Sequence, residues 1–128
     1  MPKTTQLVLT LQSKPGVLAG ISRALADARV NILSLSAAEA AGRGKIRMIV
    51  SNPTVAKRAL RKARVRFVEE AAFAKRLRNT PGSLARVVEK LARARVNIKS
   101  AYATTAGRGG ATVVITVSNA AKARRLIN

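Results

Sequence analysis

The sequence predicts an α+β chain made of two copies of one βαββαβ unit, the second without a clear last strand. Three observations carry that prediction. First, Lys14-Pro15-Gly16-Val17-Leu18-Ala19 returns as Thr80-Pro81-Gly82-Ser83-Leu84-Ala85, and Asn31-Ile32 returns as Asn97-Ile98. Second, the offset is constant, with 81 − 15 = 66 and 97 − 31 = 66, and Ala28-Arg29-Val30 recurs at the same distance as Ala94-Arg95-Val96. Third, in each half a stretch of period two precedes the Pro-Gly and a stretch of helical period follows it, the signatures of a strand and an amphipathic helix.

In the first unit, from Thr5 to Gln12, Leu7, Leu9 and Leu11 alternate with Gln6, Val8, Thr10 and Gln12, as in a half-buried strand. Pro15-Gly16 ends that strand and turns the chain. Leu18, Ile21, Leu25 and Ala28 then share one helical face, and the helix is expected to stop near Arg29, before the β-rich Val30-Asn31-Ile32-Leu33, with Asn31 as the exit residue. Asn31 to Ala38 and Lys45 to Val50 read as a hairpin around the loop Gly42-Arg43-Gly44, with Ile46, Met48 and Val50 inward. Leu33 and Leu35 are expected on the sheet face away from the helices. Ser51-Asn52-Pro53 joins an N-cap to a Pro at a helix start. Val55, Ala59, Leu60 and Ala63 form the inner stripe of that helix, while Lys57, Arg58, Arg61, Lys62 and Arg64 cover its outer face. Val65 to Glu69 makes a short fourth strand.

The second unit follows without a linker, so the boundary is expected between residues 1–69 and 70–128. Ala71 to Arg78 is its first strand. Leu84, Val87, Leu91 and Ala94 stripe its first helix, where Glu89 and Arg93 stand four apart in the favourable order. Asn97 to Thr104 and Ala111 to Val117 flank the loop Gly107-Arg108-Gly109-Gly110. Ser118-Asn119 caps a last helix running to Asn128. With no fourth strand after it, seven of eight possible strands are found, and one sheet edge is left to be covered. Lys75 holds the place of Leu9 on the apolar face. A charge there needs a partner or a path to water, which points to an accessible position beside a pocket or interface.

Composition excludes more than it names. The chain has 128 residues, 25 Lys+Arg against 5 Asp+Glu, a net charge of +20, and neither Cys nor His. Disulfides, thiol and imidazole chemistry and zinc sites are therefore excluded, and scattered carboxylates argue against a metal cage. There is no nucleophile–base pair and no phosphate-binding glycine motif, so the chain does not read as an enzyme and no cofactor is expected. No apolar run is long enough to span a membrane and no signal segment opens the chain, so no membrane partner and a cytoplasmic location are expected.

The pattern Lys/Thr-Pro-Gly-x-Leu-Ala, a helix ending Leu-Ala-x-Ala-x-Val, and then Asn-Ile resembles the ACT domain in both halves. Nearly the whole chain is covered, as in small stand-alone bacterial proteins with tandem ACT domains. The resemblance implies the ferredoxin-like fold, and regulation by binding an amino acid or a similar small ligand where two ACT units meet. It implies contacts from Ser13, Lys14, Gly16, Val17, Asn31 and Ile32 in the first copy. In the second it implies Asn79, Thr80, Gly82, Ser83, Asn97 and Ile98. Where some members carry a His at the end of the first strand, Leu11 and Leu77 stand instead.

The residue chemistry is compatible with such a site. Gly16 and Gly82 let a ligand approach the backbone, and the following helix offers free N–H groups to a carboxylate. Asn31 and Asn97 supply both a donor and an acceptor. Two further readings stand beside this one. The basic faces, Lys57 to Arg64 and Lys122, Arg124 and Arg125, suit a non-specific polyanion or nucleic-acid backbone. Base-specific recognition is disfavoured, because Phe67, Phe73 and Tyr102 are the only aromatic residues. The scarcity of acidic residues also suits an engineered or reconstructed ACT scaffold that no longer binds a ligand. A homodimer is expected.

Overall fold

The computed structural model describes residues 3–105 and 110–127. In order, the elements are β1 (Lys3–Gln12), α1 (Val17–Asp27), β2 (Ile32–Ala40), β3 (Arg43–Val50), α2 (Pro53–Lys62), β4 (Val68–Arg78), α3 (Ser83–Arg93), β5 (Ile98–Thr105), β6 (Gly110–Val117) and α4 (Ala120–Leu126). They form two compact ferredoxin-like units. One is Thr5–Glu70; the other joins the residues up to Thr4 to those from Ala71 onward.

In the first unit the antiparallel strands lie in the order β2-β3-β1. Cross-strand residues share a face, so Leu7 opposite Met48 and Leu9 opposite Ile46 place the Leu series of β1 on the inner side. The inner face packs Leu7, Leu9 and Met48 against Ile21 and Leu25 of α1 and Leu60 of α2. The second unit repeats this with β4-β6-β5, Phe73 opposite Ile115, and Leu91, Ala123 and Ile127 on top. Fully burying one such side chain is worth about 1.5–3 kcal/mol.

Several details differ from the sequence expectation. Val65–Glu69 and Ala71–Arg78 are not separate strands but parts of one, Val68–Arg78, so the described residues hold six strands. The inner stripe of α1 begins at Val17, and Leu18 is 40% exposed; in α3 it begins at Ser83, and Leu84 is 48% exposed. The core spacing is thus four residues from the helix start, 17 to 21 and 83 to 87. In α2 the buried residues are Ala56 and Leu60, whereas Ala63 is exposed. Leu35 pairs with Met48 and so shares the inner face. Leu33 is the extra residue where the β2–β3 register shifts between Ile32 and Ser34, and it is 59% exposed.

The β2–β3 turn is also tighter than expected. Ala40 pairs with Arg43, leaving only Ala41 and Gly42 between the strands. Both have positive φ, 53° and 78°, which suits a two-residue hairpin turn. Gly44 consequently lies in β3, not in a loop. Gly110 likewise opens β6, while the rest of the second Gly-rich loop, and Asn128, lie outside the described residues.

Three helices end alike. Arg29, Arg64 and Arg95 each sit at φ 59°, and the next residue returns a hydrogen bond to Leu25, Leu60 or Leu91 at 2.9 Å. This is the six-to-one bond of a Schellman ending, made with arginine where glycine is usual. Asn31 is therefore not the exit residue. Asn52 and Asn119 cap α2 and α4, their Oδ1 atoms accepting from Val55 N at 3.1 Å and Lys122 N at 3.0 Å. Ion pairs among the described residues are Arg23–Asp27 at 3.6 Å and Lys57–Glu69 at 2.9 Å; Glu89 and Arg93 do not form one.

Candidate ligand site

Lys14-Pro15-Gly16-Val17 closes a type II turn, with Val17 N donating to Lys14 O at 3.4 Å and Gly16 at φ 89°. Glycine is favoured there because an L side chain is strained at that φ. Gly82 does the same at φ 88°, with Ser83 N donating to Thr80 O at 3.3 Å. Each of these glycines stands at the N-cap of its helix and, having no side chain, leaves the first turn without a side-chain cap of its own.

In the first unit this turn borders a pocket of about 190 Å³. Ser13, Lys14, Val17 and Leu18 form one wall, and Ala37, Ala38 and Glu39 at the end of β2 form the other. Leu11, Gly44 and Ile46 form its base. The sheet register explains the meeting. Leu11 lies opposite Gly44, which lies opposite Glu39, so Gly44 keeps the space between them open. Two hydrogen bonds hold the rim: Ser13 N donates to Gly42 O at 2.9 Å, and Gly42 N donates to Glu39 Oε1 at 3.1 Å. One basic and one acidic side chain thus border an apolar base.

Of the expected first-copy contacts, Ser13, Lys14 and Val17 line this pocket, and Gly16 sets the turn beside it. Asn31 and Ile32 do not reach it. They stand at the other end of β2, and the seven steps from Ile32 to Glu39 span roughly 23 Å at about 3.3 Å each. The backbone of Asn31 is fixed to Ser51: its N–H donates to Ser51 Oγ at 2.9 Å, and its C=O accepts from Ser51 N at 2.8 Å. Asn97 makes the same pair with Ser118, at 3.0 and 2.9 Å. Both Asn side chains are exposed. Within one unit, then, the Pro-Gly loop and the Asn-Ile pair are separate groups.

The second copy differs at each charged position. Thr80 replaces Lys14, and its Oγ1 is hydrogen-bonded to Ser83 Oγ at 2.9 Å. Thr105 stands at the register position of Glu39. Asn79 and Gly82 are exposed, and Ile98 is half-buried against the core. Sequence reading singled out Leu11 only as the residue standing where some members carry a His, and it did not include Glu39 or Leu18. The signal that could have found Glu39 is its offset from the hairpin turn, which fixes its register with Leu11.

The tandem units, each with a Pro-Gly turn feeding its first helix, define a module of two paired small α+β domains. The chain belongs to the ACT domain pair family, whose pattern it matches over residues 3–128. A crystal structure of a protein from Bacteroides thetaiotaomicron is 31% identical, covers 98% of this chain and 86% of its own, and superposes with a TM-score of 0.92. The ligand-free regulatory subunit of aspartate kinase from Thermus thermophilus is 18% identical over 97% of this chain and 92% of its own, with a TM-score of 0.67. The aspartokinase alpha and beta subunits give 17% identity over 99% and 95%, with a TM-score of 0.63. These last two share the fold. No curated protein sequence matches the chain.

Proposed function

We propose that the chain is a ligand-responsive regulatory module that binds a small aliphatic amino acid in the first-unit pocket. The observation that carries this reading is the pairing of Lys14 and Glu39 across an apolar base. A zwitterion needs opposite charges at its two ends. Lys14 and the first-turn N–H groups of α1 suit the α-carboxylate, and Glu39 suits the α-ammonium. Leu11, Val17, Leu18 and Ile46 leave room for a short apolar side chain and offer a charged one no partner. Asn31, Ile32, Asn97 and Ile98 would contribute only when a second ACT unit meets the loop, as the family resemblance implies, and a homodimer is one way to supply it. The second copy's Asn79, Thr80, Gly82 and Ser83 lack the charge pair and form the weaker site.

A thermal-shift screen of the common amino acids, followed by calorimetry, tests the proposal. A saturable response to small aliphatic amino acids, lost in Glu39→Ala, is expected. A folded protein with no response to any amino acid would sink it. Light scattering checks the dimer, which a monomer mass at high concentration would remove.

A further inference from the structure

We propose that the second unit carries a separate anion site for a polyphosphate group, in the cleft between the end of β4 and α3. The cleft has a volume of about 340 Å³. Five basic residues border it, Lys75, Arg76 and Arg78 from β4 and Arg86 and Lys90 from α3; Arg76 and Arg78 alternate to the sheet face away from α3, which leaves Lys75, Arg86 and Lys90 as the cations on the cleft side. Leu77, Val87 and Ile127 supply its apolar part, with Ser83 at the helix start. No Asp or Glu lines it, and neither ion pair among the described residues involves any of the five.

The cations are not a share of the chain's general basicity. At the offset of 66, their first-copy counterparts are Leu9, Thr10, Gln12, Gly20 and Ala24, all uncharged. Lysine and arginine make up 25 of 128 residues, about one in five, yet here one copy has five of five and the other none. The corresponding space in the first unit is bordered by Leu11, Gly16, Val17, Gly20, Ile21, Ala63 and Val65 and is apolar. The duplicated frame is thus cationic at these positions in one copy and uncharged in the other.

Two positions show that the charge is directed into the cleft. Lys75 lies opposite Val113, on the face of buried Phe73, where its counterpart Leu9 is fully buried. It is half-buried there, and no carboxylate lines the cleft beside it. Arg86 turns back toward the start of α3, its Nη1 lying 3.4 Å from where a Gly82 Cβ would stand. That places a planar donor beside the first-turn N–H groups of an eleven-residue helix.

Three converging cations, Lys75, Arg86 and Lys90, beside the helix start match the several negative charges of a di- or triphosphate better than one carboxylate. Nucleic acid is the weaker occupant, because the aromatic residues offer no stacking platform. Phe73 is buried in the core, Phe67 lies under Arg61 with the guanidinium 5.2 Å from the ring centre, and Tyr102 is half-buried.

The test is calorimetry of the full chain with tripolyphosphate and with ATP at physiological salt. The chain is compared with Lys75→Leu, Arg86→Ala and, as a control on α4, Lys122→Ala. Saturable 1:1 binding of tripolyphosphate is expected, at least tenfold weaker in Lys75→Leu and in Arg86→Ala and unchanged in Lys122→Ala. Lys75→Leu restores the first-copy residue and is expected to melt at the same temperature or higher, so its loss of binding would not reflect unfolding. ATP binding as tightly as tripolyphosphate assigns recognition to the phosphates alone; tighter ATP binding assigns a nucleotide. Either result supports the site. Absence of 1:1 binding overturns it, as do equal losses in all three variants. Homopolymeric RNA that binds tighter and is not displaced by tripolyphosphate also overturns it, in favour of a diffuse basic surface.

Discussion

The two copies share a backbone and differ in what they place on it. Both turn through Pro-Gly into a helix whose N-cap is a left-handed glycine, and both fix an Asn backbone to a Ser at the end of the hairpin. Yet Lys14 and Glu39 face a small pocket in the first, where the second has Thr80 and Thr105. The second has a cationic cleft where the first has an apolar one. Duplication preserved the residues that set turns, caps and cores. The positions free to diverge were those around the openings, where a change in charge costs little in packing.

This contrast can be broken or sharpened by experiment. The largest effects are expected where the copies agree. Leu25→Ala and Leu91→Ala each remove a fully buried side chain from an equivalent place, and each is expected to cost about 2–5 kcal/mol in urea unfolding. Unequal losses would show that one core supports the other less. The ligand contrast comes next. Glu39→Ala should weaken amino-acid binding by roughly 10- to 150-fold, the value of about 1.5–3 kcal/mol for a hydrogen bond to a charged group. Thr105→Ala should leave that binding within a factor of about two, and a comparable loss there would move the site to the second copy.

Smaller effects test the caps and helix ends. Asn52→Ala and Asn119→Ala are each expected to cost about 1 kcal/mol, read from thermal or urea midpoints. The seven-residue α4 should be less able to absorb the loss than the ten-residue α2. Smallest are Arg29→Gly and Arg95→Gly. Relief of the left-handed strain, about 1–2 kcal/mol, is offset by about 0.5–1 kcal/mol of extra chain entropy, so a net gain of about 0–1.5 kcal/mol, centred below about 1, is expected. A loss at either position would mean that the Arg side chain itself makes a stabilising contact.

Much of the fold was legible in the sequence because periodicity reports which face is inside. Leu7, Leu9 and Leu11 alternate, and Ile21 and Leu25 recur at helical spacing, whatever their eventual partners. The helix phase was misread by one residue at Leu18 and Leu84. An apolar residue beside the stripe looks the same in sequence whether it packs on the core or borders a pocket. The single strand Val68–Arg78 was also hidden, because Glu69-Glu70 reads as a break although an exposed strand end tolerates charge. The loop half of the candidate site was legible as Ser13, Lys14 and Val17. Glu39 was not, since it reaches Leu11 only through two strand pairings and a two-residue turn.

The sequence by itself determined the duplication, the α+β class, the turns at Pro15-Gly16 and Pro81-Gly82, and the absence of Cys and His chemistry. Each of these is local or compositional, so neighbours in the chain suffice to specify it. Only the tertiary structure decided which residues share an opening. It moved Asn31 away from the Pro-Gly loop, brought Glu39 toward Lys14, and placed Lys75 and Arg86 on one cleft. The physical reason is that strand register and helix packing join residues far apart in sequence, and one change of register would regroup them all.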